Sequence, residues 1–157
     1  GIYRVPDGSM EATNRPGQTL ITLRRGQPVP TRDRVFLFRW KETDGSVQRR
    51  IRRVIATQGD TVRIESGQVI RNGIPVGDPR TVRTDSTLCL PDFVAEGAEV
   101  TLPTADGRDL PVQLRDGAIV VPDGYCLVLP DDRHLVSSGR EGLLVEKDAV
   151  EATVVRQ

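Results

Sequence analysis

The feature of this sequence that most restricts its fold is a series of short runs in which β-favouring residues alternate with polar ones. Alternation with a period of two is typical of half-buried strands, because successive side chains of a strand point to opposite faces. The candidate strands are Thr19 to Leu23, Arg34 to Trp40, Val47 to Ala56, Thr61 to Ile64, Gln68 to Arg71, Glu99 to Leu102, Leu110 to Leu114, Ala118 to Val121 and Tyr125 to Leu129. A helical period does not recur, and only Glu141 to Val150 has a pattern that suits a short helical turn. The sequence therefore predicts an all-β fold.

Glycine-containing pairs separate these runs. Such pairs tolerate the positive φ angles that tight strand connections require. They are Asp44-Gly45, Ser66-Gly67, Asn72-Gly73, Asp106-Gly107, Asp116-Gly117 and Asp123-Gly124. The sequence therefore predicts sheets built largely of hairpins.

The length and the apolar content indicate one domain. A chain of 157 residues with 37% hydrophobic residues can bury a core without disulfides or metals. No internal repeat or linker divides it, so we expect a single domain over residues 1–157. Residues Val76 to Asp109 are richer in Pro, Asp and Thr and alternate less, which predicts an inserted β subdomain.

Charge and cysteine content exclude several classes of protein. The 22 basic and 22 acidic residues are interleaved along the chain, so a nucleic-acid binder driven by bulk charge is disfavoured. No apolar run approaches the roughly 20 residues of a membrane span, and no signal peptide is visible. Cys89 and Cys126 have no further cysteine or histidine at metal-ligand spacing, so no metal site is expected. A disulfide between them and two buried thiols are both consistent with the sequence.

Three separated segments form a recognisable pattern. The first, Pro6 to Thr13, contains Gly-Ser-Met followed by Glu, Ala and Thr. The second, Arg52 to Val62, contains Arg-Arg-Val and then Gly-Asp, and the Asn72-Gly73 turn follows it. The third, Val121 to Arg133, continues to Arg140. In this order and at these spacings the segments resemble the type I signal peptidase family, the serine endopeptidases that remove signal peptides at the outer face of a membrane.

The resemblance implies a signal peptidase-like sheet fold with a serine nucleophile and a lysine general base. Ser9 matches the nucleophile, but the position of the base, seven residues before Gly59, is Arg52. An arginine keeps its proton because its pKa lies above about 12, and the charged group has no acceptor. We therefore do not expect Ser/Lys activity from this pair.

Other basic residues are weaker candidates for a general base. Lys41 lies roughly 17 Å along the predicted hairpin from Arg52, at about 3.3 Å per residue. Lys147 falls in a charged segment and is expected to be exposed. His134 is the only histidine, but eukaryotic relatives carry their histidine at the position that is Arg52 here.

The resemblance also suggests which residues contact substrate. Met10 is the best match to a substrate pocket. Asp7 stands where one branch of the family has a serine or glycine that helps form the oxyanion hole, and a carboxylate there would oppose the developing negative charge. Ala12 replaces a proline of the family motif, and Val136 replaces the serine that hydrogen-bonds the family's lysine.

Acidic and basic residues of the third segment match supporting positions. They are Asp131, Asp132, Arg133 and Arg140, of which the two arginines resemble the family's structural ion-pair residues. Arg52 could instead form an ion pair with Asp7, Asp131 or Asp132, which would convert a catalytic pocket into an ion-paired one.

The implied partners are a signal peptide or preprotein, bound as an extended segment at a sheet edge, and a membrane surface. Phe36, Phe38 and Trp40 share one face of a strand, which is either sheet core or a surface resting on the bilayer. No cofactor and no nucleic acid are expected. The implied location is the periplasmic or extracytoplasmic face of the cytoplasmic membrane, with a transmembrane tether that this chain does not contain.

Two functions remain open at this point. The domain is either a serine endopeptidase with an atypical base or a non-catalytic homologue that binds peptides or proteins. Related self-cleaving repressors would need the same lysine and a DNA-binding domain, and a plain β-rich interaction module would leave the three motifs unexplained.

Overall fold

The computed structural model describes residues 1–6, 10, 14–42, 44–65, 68–76, 100–131 and 143–156. The strands are β1 (Ile2–Arg4), β2 (Thr19–Leu23), β3 (Val35–Lys41), β4 (Val47–Thr57), β5 (Thr61–Glu65), β6 (Gln68–Arg71), β7 (Ile74–Pro75), β8 (Val100–Pro103), β9 (Asp109–Val112), β10 (Leu114–Arg115), β11 (Ala118–Val120), β12 (Tyr125–Leu129), β13 (Leu144–Glu146) and β14 (Val150–Arg156). In these ranges there is no α-helix, and one short 3-10 helix spans Lys147–Ala149. The predicted all-β class is therefore confirmed.

The strands form three antiparallel sheets. The largest has the order β1-β2-β14-β3-β4-β12-β13, the second has the order β10-β11-β5-β6-β7, and β8 pairs with β9. Adjacent strands in sequence pair repeatedly, as in β3 with β4 and β5 with β6. The predicted construction from hairpins is therefore correct.

Residues of the predicted turn pairs have the positive φ angles that tight turns require. Asn72 and Gly73 have φ angles of 52° and 78°, and Asp116 and Gly117 have φ angles of 51° and 73°. Two consecutive positive values are typical of the type I′ turn, whose twist suits a hairpin. Of the predicted turn pairs, Ser66-Gly67 lies outside the described residues.

The C-terminal part differs from the sequence-based expectation. The helical turn predicted within Glu141 to Val150 is reduced to the 3-10 helix, which lies between β13 and β14. β14 is inserted between β2 and β3, where long-range pairing determines its conformation. In the predicted insertion Val76 to Asp109, the structure describes β8 and the start of β9, and residues 77–99 lie outside the described part.

The β3 strand divides the core of the large sheet into two layers. Val35 and Leu37 pack on one face with Val5, Leu20 and Ile51, together with Met10 and Ala152. The aromatic residues of β3 pack on the other face with Val54, Val128 and Val145. Both faces are covered because β3 is central, between β14 and β4.

The proposed membrane contact through the β3 aromatics is wrong. Phe36, Phe38 and Trp40 do share one face, but their exposed fractions are only 2%, 0% and 5%. These side chains form sheet core, which was the other interpretation of the same pattern. Period-two alternation assigns residues to a face but does not tell whether another layer covers that face.

Candidate active site

The Arg52 side chain is held within the protein by its neighbours on β3 and β4. Arg52 is paired with Phe36 and therefore shares the face of the β3 aromatics. Its guanidinium carbon lies 5.2 Å from the centre of the Trp40 ring, and its Nη1 donates to the carbonyl oxygen of Ile51 at 2.8 Å. The residue is only 1% exposed. Stacking of a cation on an indole favours the charged form, so this position holds a buried guanidinium.

The next residue, Arg53, forms a buried ion pair with the third sequence segment. Its Nε and Nη2 donate to Oδ1 and Oδ2 of Asp131, both at 2.8 Å, and its Nη1 donates to the carbonyl oxygen of Asp33. The side chains of Arg53 and Asp131 are 2% and 0% exposed. The geometry is bidentate, which is the strongest form of an arginine–carboxylate contact. Asp131 therefore fixes β4 against the end of β12.

Met10 joins the first segment to the same place. Its Sδ accepts a hydrogen bond from the backbone N–H of Asp131 at 3.3 Å, and the side chain is fully buried. Because Asp131 also binds Arg53, the three separated sequence segments meet around one aspartate. Ser9, which precedes Met10 in the sequence, lies outside the described residues.

One edge of β4 is open at the level of Arg52 among the described strands. β3 pairs with β4 over its length from Val47 to Arg53, whereas β12 pairs only from Arg53 to Thr57. Val54 exchanges backbone hydrogen bonds with the β3 side, so the backbone groups of Ile51 and Arg49 face the other side. The carbonyl oxygen of Arg49 accepts a hydrogen bond from the Tyr3 hydroxyl at 3.0 Å. The carbonyl oxygen of Ile51 accepts one from Nη1 of Arg52.

Asp60 fixes the turn that follows β4. Its carboxylate accepts hydrogen bonds from Arg32, from the backbone N–H of Thr57 at 2.9 Å and from Nδ2 of Asn72 at 3.0 Å. Burial alone would raise the pKa of this carboxyl, but the hydrogen bonds from Arg32, Thr57 and Asn72 and the charge of Arg32 lower the pKa to about 2. Asp60 of the Gly-Asp pair therefore has a structural role, because it holds the end of β4 to Arg32 and Asn72.

Two residues of this site, Arg53 and Trp40, were not predicted from the sequence to have the contacts they make. Arg53 is the partner of Asp131. That Arg133 and Arg140 form supporting ion pairs stays a prediction, because both lie outside the described residues. The sequence did indicate an ion pair for Arg53, because an arginine buried in an apolar strand needs a carboxylate close to it. Trp40 was assigned only to a surface or a core, and its contact with Arg52 depends on strand register.

Several predicted residues lie outside the described part of the chain: Asp7, Ser9, Ala12, Asp132, Arg133, His134, Val136 and Arg140, together with Cys89.

Lys147 donates from Nζ to Oε1 of Gln58 at 2.6 Å. Cys126 is a buried free thiol, and burial raises its pKa to about 12.

Neither a cluster of metal-binding side chains nor a membrane-spanning helix occurs among the described residues. No group of three or more His, Cys, Asp or Glu side chains in these ranges is arranged to hold a metal ion. Within the same ranges no helix has the length and apolar character needed to cross a membrane.

Comparison with known proteins identifies the family. The family model described as "Signal peptidase, peptidase S26" matches residues 1–156. A crystal structure of a signal peptidase I from Enterococcus faecalis is similar at 20% identity, covering 82% of this chain and 98% of that chain with a TM-score of 0.48. No curated protein matches the sequence. The family match extends over nearly the whole chain, and this chain therefore belongs to the signal peptidase family, peptidase S26.

Proposed function

We propose that this domain binds the cleavage-site segments of signal peptides at the extracytoplasmic face of a membrane but does not cleave them by the Ser/Lys route. Ser9 is the candidate nucleophile. The single observation that carries the proposal is the buried guanidinium of Arg52, next to Trp40, at the position of the family's base.

Burial affects lysine and arginine differently. A buried lysine loses its proton readily, because its pKa of about 10.4 falls when the charged form is desolvated. An arginine has a pKa above about 12 and remains charged in the same place. The Arg52 guanidinium therefore has no lone pair to accept the proton of the Ser9 hydroxyl.

The part of the β4 edge with which no described strand pairs supports peptide binding. An extended peptide can add to a sheet edge through backbone hydrogen bonds, and here the backbone groups of Arg49 and Ile51 face that edge. The apolar layer that contains Met10, Val5 and Leu20 is buried beneath this region and supports β4 from one face. A bound peptide would replace the Tyr3 hydroxyl and the Arg52 guanidinium as donors to the edge carbonyls.

A membrane contact is better supported at β1 and β2 than at β3. Ile2 and Ile21 are paired and share a face with Leu23, and their exposed fractions are 78%, 46% and 42%. Arg4 is exposed on the same face, and the exposed Arg24 and Arg25 follow β2. Apolar side chains beside arginines suit an anionic lipid surface.

The test is cleavage of a preprotein with an Ala-x-Ala site, in detergent, by the unmodified domain and by Ser9→Ala, Arg52→Lys and the double variant. We expect no cleavage by the unmodified domain. Because a general base contributes about 10²- to 10⁴-fold, Arg52→Lys should raise the rate by at least about 100-fold, and the double variant should be inactive. Peptide binding by the unmodified domain, measured by isothermal titration, should persist in Ser9→Ala.

Arg50→Lys is the matched control. Arg50 lies two residues earlier on the same face of β4 and also stacks on Trp40, with its guanidinium carbon 5.6 Å from the ring centre. It should gain no activity. Cleavage by the unmodified domain that Ser9→Ala abolishes would contradict the proposal and indicate a peptidase with an unrecognised base, for which His134 would be tested next. Absence of peptide binding would contradict the binding role.

A further inference from the structure

Tyr3 on β1 reaches the outer edge of β4, although β1 and β4 are not neighbours in the sheet. The Tyr3 hydroxyl donates to the carbonyl oxygen of Arg49 at 3.0 Å. Because β2, β14 and β3 lie between the two strands, four strand spacings of about 4.8 Å would place them roughly 19 Å apart in a flat sheet. That distance exceeds the length of a tyrosine side chain. The sheet therefore curls until β1 approaches the edge of β4.

The hydrogen-bond pattern of β4 shows which edge Tyr3 has reached. The backbone N–H of Val54 donates to the carbonyl oxygen of Arg34, so the even-numbered residues of β4 face β3. Arg49, at an odd position, directs its N–H and C=O groups away from β3. The pairing of β4 with β12 begins only at Arg53. At Arg49 this edge therefore has no strand beside it in the described part of the chain, and its carbonyl accepts from the Tyr3 side chain.

The Tyr3 side chain is fixed on both sides of its hydroxyl contact. Its backbone is paired with Leu20 of β2, and its half-buried ring packs against the apolar layer that contains Val5, Met10 and Leu20. A ring that is already held by packing loses little rotamer freedom when its hydroxyl binds the carbonyl. The hydroxyl is thus presented to the edge of β4 in a defined position.

We propose that Tyr3 is an autoinhibitory latch on the peptide site. Its hydroxyl occupies the acceptor that the backbone N–H of a peptide uses when the peptide adds to β4 at Arg49, so the latch must open before the peptide pairs there. The inference rests on the peptide binding proposed above and adds the regulation of that site. The latch lowers the apparent affinity by the fraction of molecules in which the edge is free.

The test compares the Ser9→Ala protein with the same protein carrying Tyr3→Phe, so that cleavage cannot affect the titration. The probe is a capped peptide with an Ala-Gln-Ala site, titrated by calorimetry. Tyr3→Phe removes the hydroxyl and keeps the ring, which frees the Arg49 carbonyl. It should bind the peptide about two- to tenfold more tightly, since that factor corresponds to the net contribution of one hydrogen bond.

Tyr125→Phe is the matched control. The chain has two tyrosines, and the Tyr125 hydroxyl on β12 also donates a hydrogen bond, to Oε1 of Glu146 at 3.3 Å. Removing this hydroxyl should leave the peptide affinity unchanged.

Labelling with fluorotyrosine gives a second measurement of the latch. The fluorine resonance of Tyr3, assigned with the Tyr3→Phe variant, should shift when the peptide saturates the protein, because the hydroxyl leaves the Arg49 carbonyl. The resonance of Tyr125 should not shift.

The latch and the peptide-binding function can fail separately. Equal affinity of the proteins with and without Tyr3→Phe would overturn the latch, as would a Tyr3 resonance that the bound peptide leaves unchanged. Weaker binding by Tyr3→Phe would also overturn it, because the hydroxyl would then belong to the peptide contact. In these cases the peptide-binding function stands. Absence of binding by both proteins would instead contradict that function, and the latch with it.

Discussion

Two adjacent arginines of β4 have different surroundings because neighbouring strand residues point to opposite faces. Arg52 lies on the face of Trp40 and stacks on its ring. Arg53 lies on the other face and binds Asp131 through two parallel hydrogen bonds. A single-residue shift of register would exchange these environments, so the pairing of β3 with β4 decides which arginine stacks on Trp40 and which one binds Asp131.

The Arg53–Asp131 pair should dominate stability at the scale of single residues. Asp131→Asn leaves a buried guanidinium without its counter-charge, so we expect the free energy of unfolding to fall by about 3 to 5 kcal/mol. Urea unfolding followed by circular dichroism measures this loss. Glu151→Gln, which breaks the partly exposed Arg49–Glu151 pair, is the control and should cost less than about 1 kcal/mol. If the two variants lost equal free energy of unfolding, burial would not make the Arg53–Asp131 pair more stabilising than the Arg49–Glu151 pair.

At the scale of secondary structure, the outer face of β1 and β2 allows the membrane contact to be tested. Ile21→Glu puts a negative charge among Ile2, Leu23 and Arg4. We expect binding to phosphatidylglycerol vesicles to weaken at least about tenfold, since loss of apolar burial and repulsion from anionic lipid act together. Vesicle co-sedimentation measures this.

Ile74→Glu is the matched control, because Ile74 is 68% exposed on β7 of the second sheet. It should leave vesicle binding unchanged. Equal weakening by both substitutions, or undiminished binding by Ile21→Glu, would rule out the face of β1 and β2 as the contact.

The sequence predicts the strands that are marked by local alternation and glycine turns. It does not predict the strands whose formation depends on pairing with distant parts of the chain. Thr19–Leu23, Gln68–Arg71 and Tyr125–Leu129 have the predicted bounds, because alternation and glycine turns are local properties. β14 was missed because its place between β2 and β3 is set by pairing across the chain. The convergence of Met10, Arg53 and Asp131 likewise follows from the fold, and only the family resemblance suggested that their segments belong together.

At the scale of the whole molecule, Asp60 connects the two larger sheets. Arg32 precedes β3, and Thr57 ends β4 in the first sheet, whereas Asn72 lies in the turn between β6 and β7 of the second. Arg71 adds a contact between the sheets, because its Nη1 donates to the carbonyl oxygen of Ile55 at 2.7 Å. Loss of the Asp60 charge should therefore weaken the docking of one sheet on the other.

This connection should make stability depend on acid pH. The pKa of Asp60 is about 2 in the folded protein and 3.8 as its ordinary value, so the folded state favours the ionised carboxyl. The stabilisation is fully present above pH 3.8 and is lost as the pH falls through 3.8 towards 2. The difference in pKa corresponds to at most about 2 kcal/mol.

Urea unfolding of the unmodified protein and of Asp60→Asn at pH 7, 4, 3 and 2 tests this dependence. The unmodified protein should be more stable at pH 7, and its advantage should shrink between pH 4 and pH 2, because protonation removes the charge that the substitution has already removed. Asp109→Asn, at an exposed position of β9, is the control and should show no such convergence. A stability difference that stays constant across this pH range would mean that the Asp60 contacts stabilise the fold without depending on its charge.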